Sequence, residues 1–454
     1  MPIIVIHDMA NQIMNKFNRE CINVNDYGRF KIVQKSFDKQ YSNIYNARLK
    51  ALKDVLIEKA KQKWASHKIL QLSELSEVVD DNELVLIVGI IYKHQELKPS
   101  ILKELSYELQ LIPQPVRSNY SSEKDQIFLE DEMMRIKLVG DRIDPKEIVT
   151  GLACTVLGHQ YDDGTFWVEE YCFPGICPKA SSSISVRNEK KQLLLLSGLN
   201  LCNDTNSIVH ELLVEFISGM AGNDSTQKLA ATITQVIIAG NCVDGITESY
   251  RNHGFVKEKN KMSVVALETI LATHKFDDLL SQIAETCCVM VMPAQFDPSN
   301  HSIPQQPFHP CILPKTSRYK SFYAATNPWI GKIGNRVVAG SSGQPIEDIM
   351  KVAGLVNYSP LEWLERTLIW RHFAPTAPDT LPAYSYFNTD PFVMQDCPDI
   401  YFVGNMEKYA TELAVGDEGQ TVRLISIPNF SQSHTAVMVD LESLDTWPIS
   451  FGIS

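Results

Sequence analysis

Three short apolar segments of the chain end abruptly in small or polar residues, where loops could carry chemistry. They are Leu193 to Leu196 before Ser197-Gly198, Val236 to Ala239 before Gly240-Asn241, and Cys288 to Val291 before Met292-Pro293. In α/β folds the loops that follow the carboxyl ends of the strands build the active site. Asp244, Asp297 and Glu407 lie in or near such loops and could together bind one hard cation. A role as loop caps or turn residues is the alternative that we favour.

Sequence motifs for other catalytic chemistries are missing. The 11 histidines are scattered and form no H-E-x-x-H pair. The sequence contains no Walker phosphate-binding motif and no G-x-S-x-G nucleophile elbow. His372 could act as a base, but a packed or capping histidine is the simpler interpretation.

The strand-end loops resemble those of calcineurin-like phosphoesterases, whose motifs run D-x-H, G-D-x-x-D, G-N-H-D, a lone His, and G-H-x-H. In that family two cations, bound by carboxylates and imidazoles, activate water for attack on phosphorus. This chain keeps the loops and lacks most of the ligands. The positions concerned are Gly198, Asn200, Asn241, Asp244, Gln295, Phe296, Asp297, Ser342, Asn405 and Glu407.

The substitutions are distributed over all of the resembling loops. In the first two, Gly198 replaces an aspartate, Asn200 replaces a histidine, and Asn241 replaces the bridging carboxylate, whereas Asp244 is kept. In the others, Phe296 stands for the histidine that would protonate the leaving group, Ser342 stands for the lone histidine, and the loop around Asn405 lacks both histidines. Too little charge remains to hold two cations, so we expect an inactive site with no metal and no cofactor.

Composition limits the class of protein. The chain has 454 residues, which favours two domains, and its 44% hydrophobic content is typical of a folded protein. Its formal net charge of -12 argues against direct binding of the chain to a nucleic-acid backbone. The cysteines show no C-x-x-C pair, which indicates free thiols in a reducing compartment. The longest apolar run, Leu84 to Tyr92, is too short to span a membrane, so we expect a cytosolic or nuclear protein.

Two different patterns of apolar and polar residues along the chain predict two domains. An apolar stripe of helical spacing (Tyr45, Leu49, Leu52, Leu56, Ala60 and Trp64) predicts a helix that packs on its own domain. The run from Leu84 to Tyr92 predicts a buried strand, and Asp162-Asp163-Gly164 between two strand-like runs predicts a hairpin. Strands without long helices between them predict a small β-barrel, and an OB-type barrel is one candidate. After a Pro- and Ser-rich boundary at 174–191, alternating strands and helices favour α/β layers.

The chain also resembles one family over long, unusually composed segments: the second, or B, subunits of eukaryotic replicative DNA polymerases, particularly polymerase delta. The strongest match runs from His372 to Leu381 and continues with Thr389-Asp390-Pro391-Phe392. The other matching segments include residues 97–102, 111–115, 135–138, 149–151, 162–164, 171–173, 296–298, 304–307, 326–328 and 447–451. The resemblance extends from about residue 35 to the end of the chain.

The resemblance implies an OB-fold barrel joined to an inactive calcineurin-like phosphoesterase domain, a two-sheet α/β sandwich. We therefore expect an N-terminal arm at 1–34, an OB-fold domain with a leading helix at 35–180, and the phosphoesterase-like domain at 181–454. It further implies a nuclear, non-catalytic subunit that bridges two partners and meets DNA only indirectly. Those partners would be the C-terminal metal-cysteine domain of the polymerase delta catalytic subunit and the N-terminal domain of a third subunit, with any metal cluster belonging to the former.

Two alternatives belong to other functional classes. Archaeal relatives of the family keep the metal ligands and act as nucleases, so a working phosphoesterase or 3'-5' exonuclease is one alternative. The other is direct single-strand DNA binding by the OB-type domain, which the acidic net charge disfavours.

Overall fold

The computed structural model describes residues 19–20, 22–36, 38–77, 83–98, 117–179, 191–203, 207–243, 259–354 and 358–452. Asp244 and the segments 99–102 and 111–115 of the family resemblance lie outside the described residues. Within these ranges, no helix has both the length and the hydrophobicity needed to cross a bilayer. The cysteines of the same ranges are free thiols, as predicted.

A small closed barrel forms the first half of the chain. Its strands follow the order β2-β3-β4-β5-β7-β6, and a pairing of β3 with β6 closes the sheet. The strands are β2 (Lys68–Leu70), β3 (Val85–His94), β4 (Gln126–Glu130), β5 (Arg135–Val139), β6 (Ala153–Gln160) and β7 (Thr165–Cys172). The predicted buried strand and the predicted hairpin are therefore confirmed, and Gly164 supplies the positive φ that the hairpin turn requires.

Helix α1 (Ser42–Lys63) packs against strands of this barrel, as its apolar spacing predicted. Leu49, Leu52 and Leu56 are buried against apolar residues of β3 and β6. Burial of three leucine side chains contributes several kcal/mol, at about 1.5–3 kcal/mol for each. Arg48 is buried on the same helix, which the apolar pattern did not predict.

Two six-stranded sheets form the second half of the chain, in the orders β11-β10-β9-β8-β17-β18 and β1-β12-β13-β14-β16-β15. The strands of the first sheet are β8 (Gln192–Leu196), β9 (Ile233–Ala239), β10 (Val289–Met292), β11 (Phe322–Ala324), β17 (Thr435–Asp440) and β18 (Thr446–Ser450). Those of the second sheet are β1 (Val24–Asp26), β12 (Trp329–Ile333), β13 (Arg336–Ser341), β14 (Ile400–Met406), β15 (Ala410–Val415) and β16 (Thr421–Pro428).

Helices cover the outer faces of both sheets. They are α2 (Ser207–Ser218), α3 (Asp224–Thr232), α4 (Lys259–Thr286), α5 (Gln344–Val352), α6 (Pro360–Ile369) and the short α7 (Phe430–Ser433). Strand β8 contributes to the core on each side of its sheet, because alternate residues of a strand face opposite sides. Leu193 and Leu195 pack in the core between the sheets, whereas Leu194 and Leu196 pack in the core beneath α2 and α4. A strand covered on both faces reads as a continuous apolar run, as the sequence does here.

Part of the segment predicted as an N-terminal arm is built into the second sheet. Strand β1 pairs antiparallel with β12, and Phe30 packs edge-on against Phe373 in the core. Arg19 donates to the carbonyl oxygens of Thr286 (2.7 Å), Ile217 and Ala230 (2.9 Å) at the carboxyl ends of three helices. A cation at these helix ends is favourable because the carbonyls carry partial negative charge.

One buried arginine joins the barrel to the second half of the chain. Arg48 Nη1 donates to the carbonyl of Gly151 (2.8 Å) and to that of Pro375 (2.9 Å), and Nη2 donates to Ala377 (2.8 Å). Its Nε donates to the Asp390 carboxylate at 2.7 Å, and both side chains are fully buried. The proline-dense segment that carries the strongest family resemblance therefore supplies backbone acceptors for a side chain of the barrel's helix.

His372 completes this buried cluster. Its Nε2 lies 2.9 Å from Asp390 Oδ2, and Ala374 N–H donates to its Nδ1 at 3.1 Å, so the neutral tautomer carries its proton on Nε2. Burial and the Arg48 guanidinium lower the pKa of His372 to about 4. Burial alone would raise the pKa of Asp390, but Arg48 and His372 hold it well below its usual range. His372 is thus a packed residue, as the simpler interpretation predicted.

Replacing Arg48 by Met is expected to destabilise the chain by about 3–5 kcal/mol. The substitution keeps the apolar stem but removes the charged donor from three buried carbonyls and from the buried Asp390 carboxylate, which retains its hydrogen bonds with His372 and Phe392 N–H. Urea unfolding at pH 7 measures the effect. Lys50→Met, an exposed position on the same helix, is the control and should change stability by less than about 0.5 kcal/mol. Equal stabilities of the two variants would contradict the assigned role.

Acidification should weaken the same cluster. Between pH 6.5 and about 4 the unfolded chain protonates His372 and the folded chain does not, so stability falls as the pH falls. The loss attributable to this group is on the order of 3 kcal/mol between pH 7 and pH 4. The difference between the unfolding free energies of the wild type and of His372→Gln measures this loss of stability. The glutamine cannot titrate but keeps an amide donor. A constant difference across this pH range would contradict the assignment.

Candidate functional site

The structure brings the strand-end loops of the sequence prediction together at one end of the two sheets. Gly198 N–H donates to the carbonyl of Gly240 at 2.8 Å, which joins the loops after β8 and β9. Asn405 Nδ2 donates to the carbonyls of Ala239 (2.9 Å) and Ser342 (2.8 Å). Ser342 Oγ donates to the carbonyl of Pro293 at 2.8 Å. The carbonyls of Ala239, Ser342 and Pro293 are therefore satisfied by the neutral side chains of Asn405 and Ser342.

Asp297 is the buried carboxylate of this site, and its acceptor positions are occupied by backbone donors. Oδ1 accepts from the N–H groups of Cys242 (2.8 Å) and Val243 (3.1 Å). Oδ2 accepts from those of Asn241 (2.7 Å) and Ala294 (2.9 Å). Burial raises the pKa of Asp297 to about 6, against the lowering effect of these four donors. A carboxylate that serves four N–H groups caps the loops and has little capacity left for a cation.

Left-handed backbone explains why asparagine recurs at these loops. Asn200, Asn241 and Asn405 have φ values of +50°, +52° and +59°. Asparagine tolerates this region better than most residues, because its short polar side chain can hydrogen-bond locally. Asn241 Oδ1 accepts from Phe296 N–H at 3.2 Å, and Asn405 N–H donates to Ser197 Oγ at 2.8 Å. The asparagines therefore have a conformational role that the sequence comparison alone did not reveal.

Gly198 also has positive φ, and the space around its Cα is restricted. Its φ is +66°, and a Cβ built there would lie 2.5 Å from Asn429 Nδ2 and 2.8 Å from Asn405 Oδ1. The aspartate expected at this position has no room in the present arrangement of the neighbouring amides.

A buried amide network next to the site was missed by sequence reasoning. Asn327 Nδ2 donates to Gln305 Oε1 (2.9 Å) and Gln344 Oε1 (2.8 Å), and Gln344 Nε2 donates to Gln305 Oε1 at 2.8 Å. Ser342 N–H donates to Asn327 Oδ1 at 2.9 Å, which connects the network to the strand-end loops. Gln305 and Asn327 lie in two of the segments that resemble the polymerase family, 304–307 and 326–328. The unusual composition of those segments was the sequence feature that pointed to this network.

The remaining predicted positions have different environments. Glu407 is exposed beside Lys408, with 3.4 Å between the carboxylate and the ammonium group. Gln295 is partly exposed and lines a cavity of about 310 Å³ with His301 and Gln344. Asn200 N–H donates to the Asn241 carbonyl at 3.1 Å. The described ranges contain no group of three or more His, Cys, Asp or Glu side chains placed to hold a metal ion.

Comparisons with known proteins agree with this architecture. A family model described as DNA polymerase delta subunit OB-fold domain matches residues 40–171, and a model for the B-subunits of DNA polymerases alpha and epsilon matches residues 193–411. The prediction of an OB-fold domain followed by α/β layers is thus confirmed. The two matches indicate the class of protein, a subunit of a DNA polymerase.

Similarity to characterised relatives narrows the class to one family. The Drosophila melanogaster protein DNA polymerase delta subunit 2 is 36% identical over 93% of this chain and 96% of its own length. The Arabidopsis thaliana DNA polymerase delta small subunit is 37% identical over 93% of this chain and 94% of its own length. That of Saccharomyces cerevisiae is 29% identical over 98% and 94%, respectively. The chain belongs to the family of DNA polymerase delta small subunits, and the predicted resemblance is confirmed.

Introducing at position 198 the aspartate that the phosphoesterase resemblance predicts should destabilise the fold. Gly198→Asp adds a crowded Cβ at positive φ, whereas Gly164→Asp adds one at φ +80° with no atom within 4 Å. We expect Gly198→Asp to cost about 1 to 3 kcal/mol more than this control, because overpacking adds to the common backbone strain. Chemical denaturation of both variants measures the difference. Equal costs would show that the strand-end loops can accommodate the carboxylate.

Proposed function

We propose that this chain is a non-catalytic scaffold of DNA polymerase delta. It bridges the C-terminal metal-cysteine domain of the catalytic subunit and the N-terminal domain of a third subunit in DNA replication and repair. The observation that carries this proposal is the family membership, with 36% identity spanning 93% of the chain to the Drosophila relative. In this proposal the subunit acts in the nucleus and meets DNA only through its partners.

The proposal includes a degenerate phosphoesterase-like domain at 181–454, an OB-fold domain at 35–180, and a preceding arm at 1–34, of which β1 is paired with the second sheet. The family matches at 40–171 and 193–411 support this division. Two mixed sheets with helices on their outer faces, and loops converging at strand ends, support the phosphoesterase-like ancestry. The positions from Gly198 to Glu407 that replaced metal ligands are, in this proposal, relics of a lost active site.

Local chemistry supports the absence of catalysis. The Asp297 carboxylate is occupied by four backbone N–H groups. Three neighbouring neutral side chains bond to the backbone of the loops: Asn241 Oδ1 accepts from Phe296 N–H, Ser342 Oγ donates to the Pro293 carbonyl, and Asn405 Nδ2 donates to the Ala239 carbonyl. Two cations close together need several negative ligands to offset their repulsion, and this neutral lining does not supply them.

Rigidity supports the scaffold role. Arg48 and Asp390 join the two halves of the chain, as does a separate buried contact in which Lys93 Nζ donates to the carbonyl of Val352 at 3.0 Å. The backbone N–H of Gly354 also donates to the carbonyl of Lys146 at 2.7 Å. Such ties hold surfaces of both domains in a fixed relation, which suits simultaneous binding of two partners.

Co-expression with the catalytic subunit's C-terminal module should yield a complex that survives gel filtration at micromolar concentration. A third-subunit N-terminal domain should join it without displacing the module, because a bridge has separate sites for its two partners. A single-domain OB protein of unrelated function, carried through the same purification, controls for non-specific association.

The same purified complex should show no Mn²⁺-dependent cleavage of single-stranded DNA by this subunit. Failure to form the complex would contradict the scaffold proposal. Cleavage that requires Asp297, with the complex intact, would instead support the phosphoesterase alternative.

A further inference from the structure

Strand β15 leaves one edge of the second sheet open. It pairs antiparallel with β16 and is the last strand of that sheet among the described residues. Gly416 N–H donates to the Gln420 carbonyl at 2.8 Å, which makes this pair hydrogen-bonded and fixes the alternation along the ladder. By that alternation, the backbone N–H and C=O groups of Thr411, Leu413 and Val415 point away from β16, towards the open edge.

This edge strand lacks several of the features with which proteins usually protect exposed strands. Such edges are commonly blocked by proline, lysine, bulges or very short length. The far edge strand of the other sheet, β18, carries Pro448 in its middle. In contrast, β15 has six residues without proline or lysine, and Leu413 and Val415 are 43% and 64% exposed. These two side chains share one face of the strand, because they are two residues apart.

The opposite face of β15 is acidic. Glu412 is exposed on the face that packs towards α6, where Ala414 is buried against the core. Burial and the Glu412 charge raise the pKa of Glu365 on α6. Arg366, the nearby cation, is paired with Glu147 at 3.1 Å. An incoming strand would therefore find apolar contacts on one face and negative charge on the other.

We propose that β15 binds an extended segment of a partner polypeptide as an added strand, with apolar side chains beside Leu413 and Val415 and Lys or Arg beside Glu412. The outward N–H and C=O groups of three residues would supply up to six backbone hydrogen bonds, as in other cases of strand addition. A second copy of this chain fits the edge poorly, because it would bring its own Glu412 to the same acidic face. The proposal extends the scaffold role and depends on it for the identity of the partner.

Hydrogen exchange of backbone amides tests the edge directly, using the full chain alone and in its complex with the catalytic module and the third subunit. In the free chain, the amides of Thr411, Leu413 and Val415 should exchange about 100-fold faster than those of Glu412 and Ala414, which bond to β16. In the complex, the three fast amides should slow by at least about tenfold. If the complex forms and they do not slow, the edge proposal is wrong while the scaffold proposal stands.

If no complex forms, a synthetic peptide alternating Val and Lys takes the place of the partner. It should protect the same three amides, and a peptide alternating Val and Glu should not. Absence of protection by the Val–Lys peptide would then overturn the edge proposal. Protection that instead rises with the concentration of the chain alone would assign the edge to self-association and also overturn it.

Two variants separate the proposed contacts from general stability. Leu413→Pro removes an outward N–H without breaking a bond to β16, whereas Leu413→Ile keeps both the N–H and an apolar side chain, so only the proline should weaken partner binding, by about tenfold or more. Glu412→Lys should weaken binding through charge, and Glu211→Lys, an exposed position on α2, should not. Wild-type binding by both Leu413→Pro and Glu412→Lys would contradict the proposal.

Discussion

The pairing of Arg48 with Asp390 is the interaction on which the arrangement of the molecule depends. Arg48 comes from the helix beside the barrel, whereas Asp390 and two of the three carbonyl acceptors come from the second half of the chain. A buried guanidinium carries a large desolvation cost, so it is stable only where its donors all find acceptors. Gly151 contributes the remaining carbonyl at φ +93°, in a place where a side chain would collide with Pro375 and with Arg48 itself. Acceptors from both halves of the chain meet four N–H groups of Arg48 here, which ties the two halves together.

In the proposed function, the strand-end loops belong to a phosphoesterase-like fold that has lost its chemistry. Loops in an active phosphoesterase are organised around cations, and a chain without cations needs other groups to satisfy the same backbone. Here Asp297 accepts four backbone N–H groups, and Asn405 donates to two carbonyls from different loops. Asn200, Asn241 and Asn405 adopt positive φ at the turns of these loops. Hydrogen bonds from backbone and side-chain groups therefore hold the strand-end loops together, and in the proposed function they take the place of metal coordination.

Local patterns in the sequence were enough to predict much of the fold. The apolar stripe of α1, the buried strand β3 and the hairpin at Asp162 to Gly164 depend on neighbours in sequence, and the structure contains all three. Polar groups that meet across the fold could not be predicted in this way. Arg48 and Asp390 are 342 positions apart, and Gln305, Asn327 and Gln344 form their network only when three separate segments pack. The family-like composition of those segments signalled importance without revealing which side chains would touch.

The scaffold proposal makes its most direct claim about the strand-end loops, which should bind no metal ion. Crystals of the full chain soaked in Mn²⁺, with anomalous scattering recorded at the manganese edge, measure this at the atoms concerned. The account predicts no manganese peak among Asn241, Asp297 and Asn405 at concentrations up to about 1 mM, where even weak carboxylate sites begin to fill. Two peaks a few ångströms apart at these residues would contradict it and would identify a working two-metal site.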